Sequence, residues 1–361
     1  MKLIHCADLH LDSGIKDLPS EKGKILREDV LHSFERLVDF AAENGVKAVI
    51  IAGDFFDSEK ITKKTFGRVL FAMSSHPETD FLYLAGNHDE DAFVKNFYDE
   101  NLPSNLIVFG EGLSLKEYGE VNVYGVCNNS VNGNYVIQTL SPEKDKINVV
   151  VMHGQVADYN TDFVKDVISL PKLKEKNIDY LALGHYHTYS EGKLDSRGKY
   201  AYSGCLQGRG FDELGTKGFV LLDAENGKIT TEFIDFSVRN FYEYSFDVGK
   251  YADWFTAKTK LIDELKKNYD AKSAIKIILC GKHKTEFAID KNELETRLNE
   301  LFFFCKVYDK TSLLISPEDY AYDKSVRGEF VRSVMESDLD DEEKYKVIMC
   351  GLNALRGEEL L

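Results

Sequence analysis

The chain has 361 residues, of which 43% are apolar and 29% are charged, a balance typical of a folded globular protein. Its net charge of −16 argues against a free-standing nucleic-acid-binding protein, whose contact surface is expected to be basic. No apolar stretch approaches the roughly 18 residues of a membrane span, and no secretory leader is recognisable. We therefore expect a cytoplasmic protein without a membrane partner, whose six scattered cysteines are reduced.

Short apolar runs rich in β-branched residues alternate with helical patterns through residues 1–235. The clearest helical face precedes the second run, is closed by Asn44-Gly45 and comprises Val30, Phe34, Leu37, Val38 and Ala41. Fewer helices separate the later runs, which indicates antiparallel pairing in part of the sheet. This alternation predicts an α/β sandwich with helices covering its sheets. The predicted strands are 3–4, 48–52, 81–85, 106–109, 121–126, 147–152, 180–183, 200–203 and 218–222.

After residue 235 the pattern becomes that of a compact α+β unit. It predicts strands at 242–248, 274–281 and near 304–315, with helices at 250–269 and 290–303. Residues 236–315 are the only segment with a positive balance, 14 Lys and Arg against 12 Asp and Glu. Residues 324–355 predict two helices that separate around 337–340, with Ser337 or Asp338 as the cap of the second. We therefore predict domains at 1–235, 236–315 and 316–361.

Six polar clusters each follow the carboxyl end of an apolar run. Because the strand ends of an α/β sheet converge on one rim, we expect these clusters to meet. Residues i and i+2 of an extended chain point to the same side, so Asp8 and His10 are predicted to share one ion, and His185 and His187 have the same spacing. The clusters are Asp8-Leu9-His10, Gly53-Asp54-Phe55-Phe56-Asp57, Gly86-Asn87-His88-Asp89, His153-Gly154, Gly184-His185-Tyr186-His187 and Tyr202-Ser203-Gly204.

The residue types in these clusters indicate a pair of metal ions. Mixed imidazole, carboxylate and amide ligands suit Mn, Fe or Zn, whereas all-oxygen sites suit Mg or Ca. Two such ions about 3.5–4 Å apart clamp a phosphoryl group and activate water, and they need a bridging carboxylate. Asp54 is the predicted bridge because it follows a central strand. A lone D-x-H would carry no such implication, but six clusters in order predict hydrolysis of a phosphoester.

The motifs D-x-H, G-D-x-x-D, G-N-H-D, H-G and G-H-x-H resemble those of the calcineurin-like metallophosphoesterase superfamily. Within it, residues 5–13 (HCADLHLDS), G-N-H-D-E and Y-S-G followed by Gln207-Gly208-Arg209 most resemble the SbcD-type DNA exonucleases, particularly their YhaO-like branch. The resemblance implies a two-sheet metallophosphoesterase sandwich flanked by helices, with a smaller α+β capping domain that helps to engage DNA and a C-terminal helical segment.

The same resemblance implies a role for each motif residue. His88 would face the scissile phosphate as general acid or charge stabiliser, and Asp57 would hydrogen-bond His88 and fix its tautomer. The expected cofactors are two divalent ions, Mn²⁺ first, with Fe or Zn as alternatives. Cys205 departs from the family, since many relatives have Ser there. One ion would be held by Asp8, His10, Asp54 and His187, and the other by Asp54, Asn87, His153 and His185.

Three functions remain open at this point. The first is a nuclease acting on DNA ends with an SbcC-like ATPase that supplies a basic surface. The second is a stand-alone phosphomonoesterase or cyclic-nucleotide phosphodiesterase, although Ser58 follows Asp57 where the protein phosphatases of the superfamily have Arg. The third, a scaffold without metals, is disfavoured because every ligand is present. A homodimer is also left open.

The two C-terminal helices are the predicted partner-binding segment. Apolar residues recur on each at three- and four-residue spacing, and they either pack on the body of the chain or dock the coiled coil of the ATPase. These residues are Val326, Phe330, Val331 and Val334 on one helix and Tyr345, Ile348, Met349 and Leu352 on the other.

Overall fold

The computed structural model describes residues 1–361 except 16, 58–60, 88, 90–101, 128–132, 161–163, 165, 285–286, 315–319 and 357–361. The chain divides into two compact units, Met1–Tyr242 with Lys272–Ala274, and Glu243–Ala271 with Ile275–Leu361. The boundaries predicted at 235/236 and 315/316 stay predictions. Within the described ranges, no helix is long and apolar enough to cross a membrane.

Two six-stranded sheets form the first unit. Its elements in chain order are β1 (Lys2–Cys6), α1 (Ser20–Glu43), β2 (Val46–Ala52), α2 (Lys63–Ser74), β3 (Asp80–Leu84), β4 (Leu106–Phe109), β5 (Leu113–Tyr118), β6 (Val121–Val126), α3 (Gly133–Thr139), β7 (Ile147–His153), β8 (Gln155–Ala157), β9 (Val167–Ser169), β10 (Tyr180–Gly184), β11 (Ser190–Lys193), β12 (Lys199–Tyr202), β13 (Gly218–Glu225) and β14 (Lys228–Asp235). The first sheet has the order β14-β13-β1-β2-β3-β4 and the second β11-β12-β10-β7-β6-β5.

Each sheet has a parallel centre, and three of the four sheet edges are antiparallel. Strands β1, β2, β3 and β4 are parallel in the first sheet, as are β6, β7, β10 and β12 in the second. Strands β13 and β14 at one edge, and β5 and β11 at the two edges of the second sheet, pair antiparallel to their neighbours. The antiparallel pairing expected for the later strands is therefore confirmed, and the parallel centres direct several carboxyl ends to one rim.

The alternation of side chains along the strands builds three buried layers. Along β1, Leu3 packs between the two sheets, whereas Ile4 and Cys6 face the helices α1 and α2 on the other side. Phe34 of α1 lies in that helix-covered layer and meets Phe55 edge-on. A third apolar cluster covers the outer face of the second sheet. The predicted sandwich of two sheets flanked by helices is confirmed.

The second unit contains a small α+β body. Its elements are β15 (Phe241–Asp247), α4 (Trp254–Asn268), β16 (Ala274–Cys280), β17 (Lys282–His283), α5 (Lys291–Leu301), β18 (Phe304–Asp309) and β19 (Ser312–Leu313). Strands β15, β16 and β18 form a three-stranded sheet, and β17 pairs with β19. Leu261 and Leu265 of α4 and Leu294 and Leu298 of α5 pack on this sheet in one apolar core.

Two further helices, α6 (Val326–Met335) and α7 (Asp341–Arg356), pack against each other. Val331, Val334, Ile348 and Leu352 of the predicted stripes are buried together in one cluster. Gly351 permits the close approach, because a Cβ there would lie 2.1 Å from the ring of Phe330. The second helix is capped by Asp340, whose carboxylate accepts the N–H of Glu343, so the expectation of Ser337 or Asp338 was wrong.

His5 links the two sheets through the interior of the sandwich. Its Nδ1 accepts from Tyr180 Oη at 2.8 Å, and its Nε2 faces the carbonyl of Leu183 at 3.2 Å. Burial lowers the pKa of His5 to about 3, against a smaller opposing effect of the hydrogen bond to Leu183. The neutral ring is therefore the form that the folded chain accommodates.

This depressed pKa predicts a pH dependence of stability. Below the ordinary pKa of 6.5 the unfolded chain takes up a proton that folded His5 refuses, so stabilisation is complete above that pH and is lost as the pH falls towards about 3. Between about pH 7.5 and about pH 5 the loss should be on the order of 2 kcal/mol. His5→Gln, whose amide does not titrate, should lose less over that range in urea denaturation followed by circular dichroism. An equal loss of stability in both proteins would show that His5 does not cause this pH dependence.

Candidate metal centre

The predicted ligands lie on loops that leave the parallel strands at one rim. The loops after β1 and β2 stay hydrogen-bonded to each other beyond the ends of the strands. Asp8 N donates to Gly53 O and His10 N donates to Asp54 O, each at 3.0 Å. In the second sheet, Gly154 N donates to Gly184 O at 3.1 Å in the same way. These backbone bonds fix the register in which the side chains of the clusters face each other.

Four of the predicted ligands have positive φ angles, and in three of them the angle is that of a left-handed turn. The φ angles of Asp8, His10 and Asp54 are 52°, 46° and 50°, a region that costs a non-glycine residue of order 1–3 kcal/mol. The backbone at Asp8 and His10 is therefore not extended, as the spacing argument assumed. Their side chains nevertheless converge, since their ligand atoms lie within 4.8 Å of that of His187, which follows β10 of the second sheet.

Two groups of donor atoms converge at this rim. The ligand atoms of Asp8, His10 and His187 all lie within 4.8 Å of one another, as do those of Asp8, Asp54 and His153. Asp54 Oδ2 lies 3.8 Å from His10 Nε2 and 3.4 Å from His153 Nε2. Asp54 thus stands between imidazoles of both groups, as a bridging ligand would.

The hydrogen bonds of His10 and His187 direct two ring nitrogens at the same point. Nδ1 of His10 lies 3.1 Å from Asp57 Oδ1, and Nδ1 of His187 lies 2.7 Å from Glu213 Oε1. If each Nδ1 donates its proton to the neighbouring carboxylate, each Nε2 carries a lone pair, and the two Nε2 atoms are 3.1 Å apart. A cation held by these two imidazoles and the carboxylate of Asp8 would satisfy both lone pairs.

His153 and Asn87 form the other side of the centre. His153 Nδ1 lies 2.9 Å from the carbonyl of Ala52, and its Nε2 lies 2.9 Å from Asn87 Oδ1. Burial lowers the pKa of His153, but the hydrogen bond and charge of Asp54, with the charge of Asp8, raise it to about 9. The same negative field that holds a proton on His153 favours a cation, so the donor set fits divalent metal ions.

His185 is placed differently from the other predicted ligands. Its φ is 116°, its backbone N–H lies within 3.0 Å of both carboxylate oxygens of Asp8, and its half-buried ring packs edge-on against the ring of His153. Its ring nitrogens belong to neither group of converging donor atoms. The backbone of His185 therefore orients Asp8, and its ring lies beside the His153 side of the centre.

The two predicted catalytic residues are only partly described. Asp57 contacts His10 Nδ1, and its Oδ2 lies 3.9 Å from a guanidinium nitrogen of Arg209. His88 lies outside the described residues, so the predicted contact between Asp57 and His88 stays a prediction. Cys205, the departure from the family pattern, is buried with its thiol 3.6 Å from the carbonyl of His187.

Asp89 holds two of the motif loops together. Its buried carboxylate accepts the N–H groups of Phe55, Phe56 and Gly86 at 3.0–3.1 Å. Gly86 in turn lies so close to Asp54 that a Cβ would meet Oδ1 at 2.2 Å. The sequence placed Asp89 in a motif but gave no reason for it, because two of its three backbone partners, Phe55 and Phe56, are 34 and 33 residues away.

Glu213 is the functional residue that the sequence did not single out. It is buried, accepts the ring N–H of His187 and is paired with Arg209. Burial raises the pKa of Glu213, but the hydrogen bonds from His187 and Arg209 outweigh that effect and hold it far below its usual range. The buried Lys217 donates to the carbonyl of His187 at 2.9 Å. Arg209 was noted as a motif residue, but no spacing rule connected Glu213 with His187.

A cavity of about 280 Å³ opens beside Asp57 and Glu213. Its walls carry four carboxylates around a single guanidinium, that of Arg209. The carboxylates belong to Asp17, Asp57, Asp212 and Glu213. The described surface on this side of the centre is therefore acidic.

Comparisons with known proteins agree with this geometry. Residues 1–189 match the family model described as calcineurin-like phosphoesterase. The chain is 25% identical over 248 residues to the uncharacterized metallophosphoesterase YhaO of Bacillus subtilis, a match that covers 64% of this chain and 60% of YhaO. This chain therefore spans less than two thirds of the length of YhaO.

A second relative extends further along the chain. The DNA double-strand break repair protein Mre11 of Sulfurisphaera tokodaii is 25% identical over 317 residues, covering 83% of this chain and 77% of that protein. Among solved structures, a dimetal phosphatase from Danio rerio is similar with a TM-score of 0.43 and 12% identity, over 65% of this chain and 99% of that one.

Glu213→Ala should weaken the binding of one metal ion by roughly ten- to a hundredfold, because the ring of His187 loses the acceptor that orients it. Glu213→Gln, which keeps an oxygen acceptor without the charge, should lose less. Titration calorimetry with Mn²⁺ measures both. Glu191→Ala is the matched control, since Glu191 is an exposed carboxylate paired with Lys199. Unchanged affinity in a folded Glu213→Ala protein would show that His187 needs no such partner.

Proposed function

Because the chain belongs to the calcineurin-like phosphoesterase family, we propose that it is a two-metal phosphodiesterase acting on DNA ends, an exonuclease or endonuclease of DNA repair. Family membership makes it a metallophosphoesterase, a hydrolase with candidate ligands for divalent metals. The observation that carries the proposal is the convergence of two groups of donor atoms that share Asp8 and are buried except at half-buried His187.

The proposed ligand sets are those implied by the motifs. Asp8, His10, Asp54 and His187 would hold one ion, and Asp54, Asn87, His153 and His185 the other. Two bound divalent ions supply Lewis acidity to a phosphoryl group and lower the pKa of water. The mixture of imidazole, carboxylate and amide donors favours Mn²⁺, with Fe or Zn as alternatives. The distances from Asp54 to His10 and His153 support its role as the bridge.

His88 and Asp57 are the proposed catalytic residues. His88 would donate a proton or a hydrogen bond to the developing negative charge at the leaving oxygen. Its neighbours in sequence support a place at the centre, because Asn87 contacts His153 and Asp89 binds the loop after β2. Asp57 would hydrogen-bond His88 and fix its tautomer, and its contact with His10 supports a position beside the centre.

DNA is the proposed substrate because the similarity to Mre11 covers 83% of this chain and so extends beyond the first unit. We propose that residues 1–235 form the nuclease domain and that residues 236–315, the only segment with a positive balance, form a cap that engages DNA. We also propose a cytoplasmic location. The net charge of −16 and the acidic cavity favour the alternative of a small phosphoester substrate handled without a partner.

Substrate assays with two matched variants test the proposal. Mn²⁺-loaded protein should hydrolyse linear DNA and a chromogenic diester, and elemental analysis should find two ions per chain. His185→Ala should lose one ion and nearly all turnover. His88→Ala, which leaves all seven proposed ligands, should keep both ions and lose on the order of 10²–10⁴ in rate.

The outcomes separate the alternatives. Hydrolysis of the chromogenic ester without cleavage of linear or circular DNA would establish the small-substrate enzyme instead. Loss of metal in His88→Ala would make His88 a ligand and overturn its assignment. A chain without bound metal after loading with Mn²⁺ would exclude the two-metal mechanism altogether.

We propose that residues 316–361 dock an SbcC-like ATPase. Much of each predicted stripe packs inside the helix pair, so that part cannot contact a partner without opening the pair. Val326 remains 73% exposed and Val347 is 39% exposed, and these apolar positions support a contact surface on the outside. The ATPase would also add positive surface to a chain whose net charge is −16, whereas a homodimer would not.

Deletion of residues 316–361 should abolish co-purification with the co-expressed ATPase and leave Mn²⁺-dependent hydrolysis of a chromogenic diester unchanged. The paired substitution Val326→Glu and Val347→Glu should weaken the association without unfolding the helix pair, since both side chains are exposed. If the association survives both changes, the partner surface lies elsewhere. Sedimentation analysis of the isolated chain distinguishes a homodimer.

A further inference from the structure

Tyr186 presents an aromatic ring at the edge of the candidate metal centre. It stands between His185 and His187 in the chain, and its side chain is 41% exposed. Its ring centroid lies 5.4 Å from that of His185, at an interplanar angle of 64°. The centre therefore has a large, partly solvent-facing apolar surface directly beside one of the proposed ligands.

The ring of Tyr186 rests on a fixed support. It packs edge-on against the ring of Tyr202, with 4.8 Å between centroids. Tyr202 is itself buried, and its hydroxyl donates to Gly154 O at 2.9 Å and accepts from Val156 N at 2.8 Å. Because Tyr186 is held by its neighbours, a ligand that stacks on it loses little additional side-chain entropy on binding.

The charge of the chain makes such a surface useful. Proteins commonly bind nucleic acid through Lys and Arg side chains that neutralise phosphates. This chain has a net charge of −16, and carboxylates line the cavity beside the centre. Stacking of a base on an aromatic ring needs no positive charge, and every base has a face that can stack. A nucleotide whose phosphate lies at the metal centre has its base one sugar away, within reach of a ring at the edge.

We propose that Tyr186 is a substrate-binding residue that stacks on the nucleobase next to the scissile phosphodiester and so selects nucleotide diesters over other phosphate esters. This inference rests on the proposed phosphodiesterase function and adds to it the part of the substrate that is recognised. The role is one of binding, so Tyr186 affects KM more than kcat.

The test uses the full chain loaded with Mn²⁺ and two dinucleotide substrates, thymidylyl-thymidine and its analogue with abasic sugars. Tyr186→Ala should raise KM for thymidylyl-thymidine roughly tenfold to a hundredfold, with little change in kcat, and should leave KM for the abasic analogue unchanged. Tyr186→Phe, which keeps the ring, should restore most of the affinity. Binding of a 2-aminopurine dinucleotide should quench its fluorescence with wild type and with Tyr186→Phe, but not with Tyr186→Ala.

Phe71→Ala is the matched control, because Phe71 is a 74% exposed ring near the C-terminal end of α2. That helix begins beside Asp12 in the loop after β1 and runs away from the rim, so the substitution should change neither substrate's KM. Equal KM values for the two substrates in wild type, or an equal change for both in Tyr186→Ala, would overturn the stacking role alone. If wild type hydrolyses a chromogenic ester but no nucleotide diester, the DNA substrate and the stacking role are both overturned.

Discussion

Two carboxylates, those of Asp8 and Asp54, are buried close together where the two sheets meet, and their negative charge is the constraint around which the centre is arranged. Burial raises the pKa of Asp8, and the charge of Asp54 adds to that effect, while His153, His187 and His10 oppose it. Like charges at such a distance inside a protein are tolerated only with compensating cationic or hydrogen-bonding groups. The imidazoles of His153, His187 and His10 and the backbone N–H of His185 supply part of this compensation, and divalent ions would complete it.

The backbone that holds these carboxylates is strained. At several of its glycines the packing leaves no room for a side chain. Asp8, His10 and Asp54 adopt left-handed conformations, and a Cβ on Gly184 would lie 1.9 Å from the carbonyl of Ala52. Such turns persist when the surrounding structure determines them. Here the strands before them lie in the core between the sheets, and Asp89 binds three backbone N–H groups of the loops. The apolar core thus stabilises a rim that would be unfavourable in isolation.

The negative charge of the chain has opposite effects on metal binding and on substrate binding. Negative charge at the centre suits metal binding, but it disfavours the approach of a polyanion. If DNA is the substrate, as we propose, affinity would have to come from neutral contacts such as stacking, from a positive surface on a partner, or from residues 236–315, the one segment with a positive balance. A small phosphoester carries less charge and meets less repulsion, which is why the two substrate classes are distinguished by binding and not by the hydrolytic chemistry that they share.

Much of the architecture follows from local sequence. The apolar strand runs, the amphipathic face of α1 and the polar cluster after each strand could be predicted, because strand periodicity and the ends of parallel strands are properties of short segments and of their order. The family motifs then implied a ligand set that includes Asp8, Asp54 and His153. Even the positions of α6 and α7 followed from spacing alone.

The tertiary structure decided how those segments are held and which atoms face each other. His187 and Glu213 are 26 residues apart, and Asp89 binds Phe55 across 34 residues, so neither contact has a local signal. The apolar stripes of α6 and α7 fitted either the body or a partner, and packing placed much of each against the other helix. Left-handed turns replaced the extended chain assumed at Asp8 and His10. The sequence by itself determined that residues such as Asp8, Asp54 and His153 follow strand ends that meet at the rim. Their pairing and direction depend on the distant backbone and charged groups, Glu213 among them, that packing brings beside them.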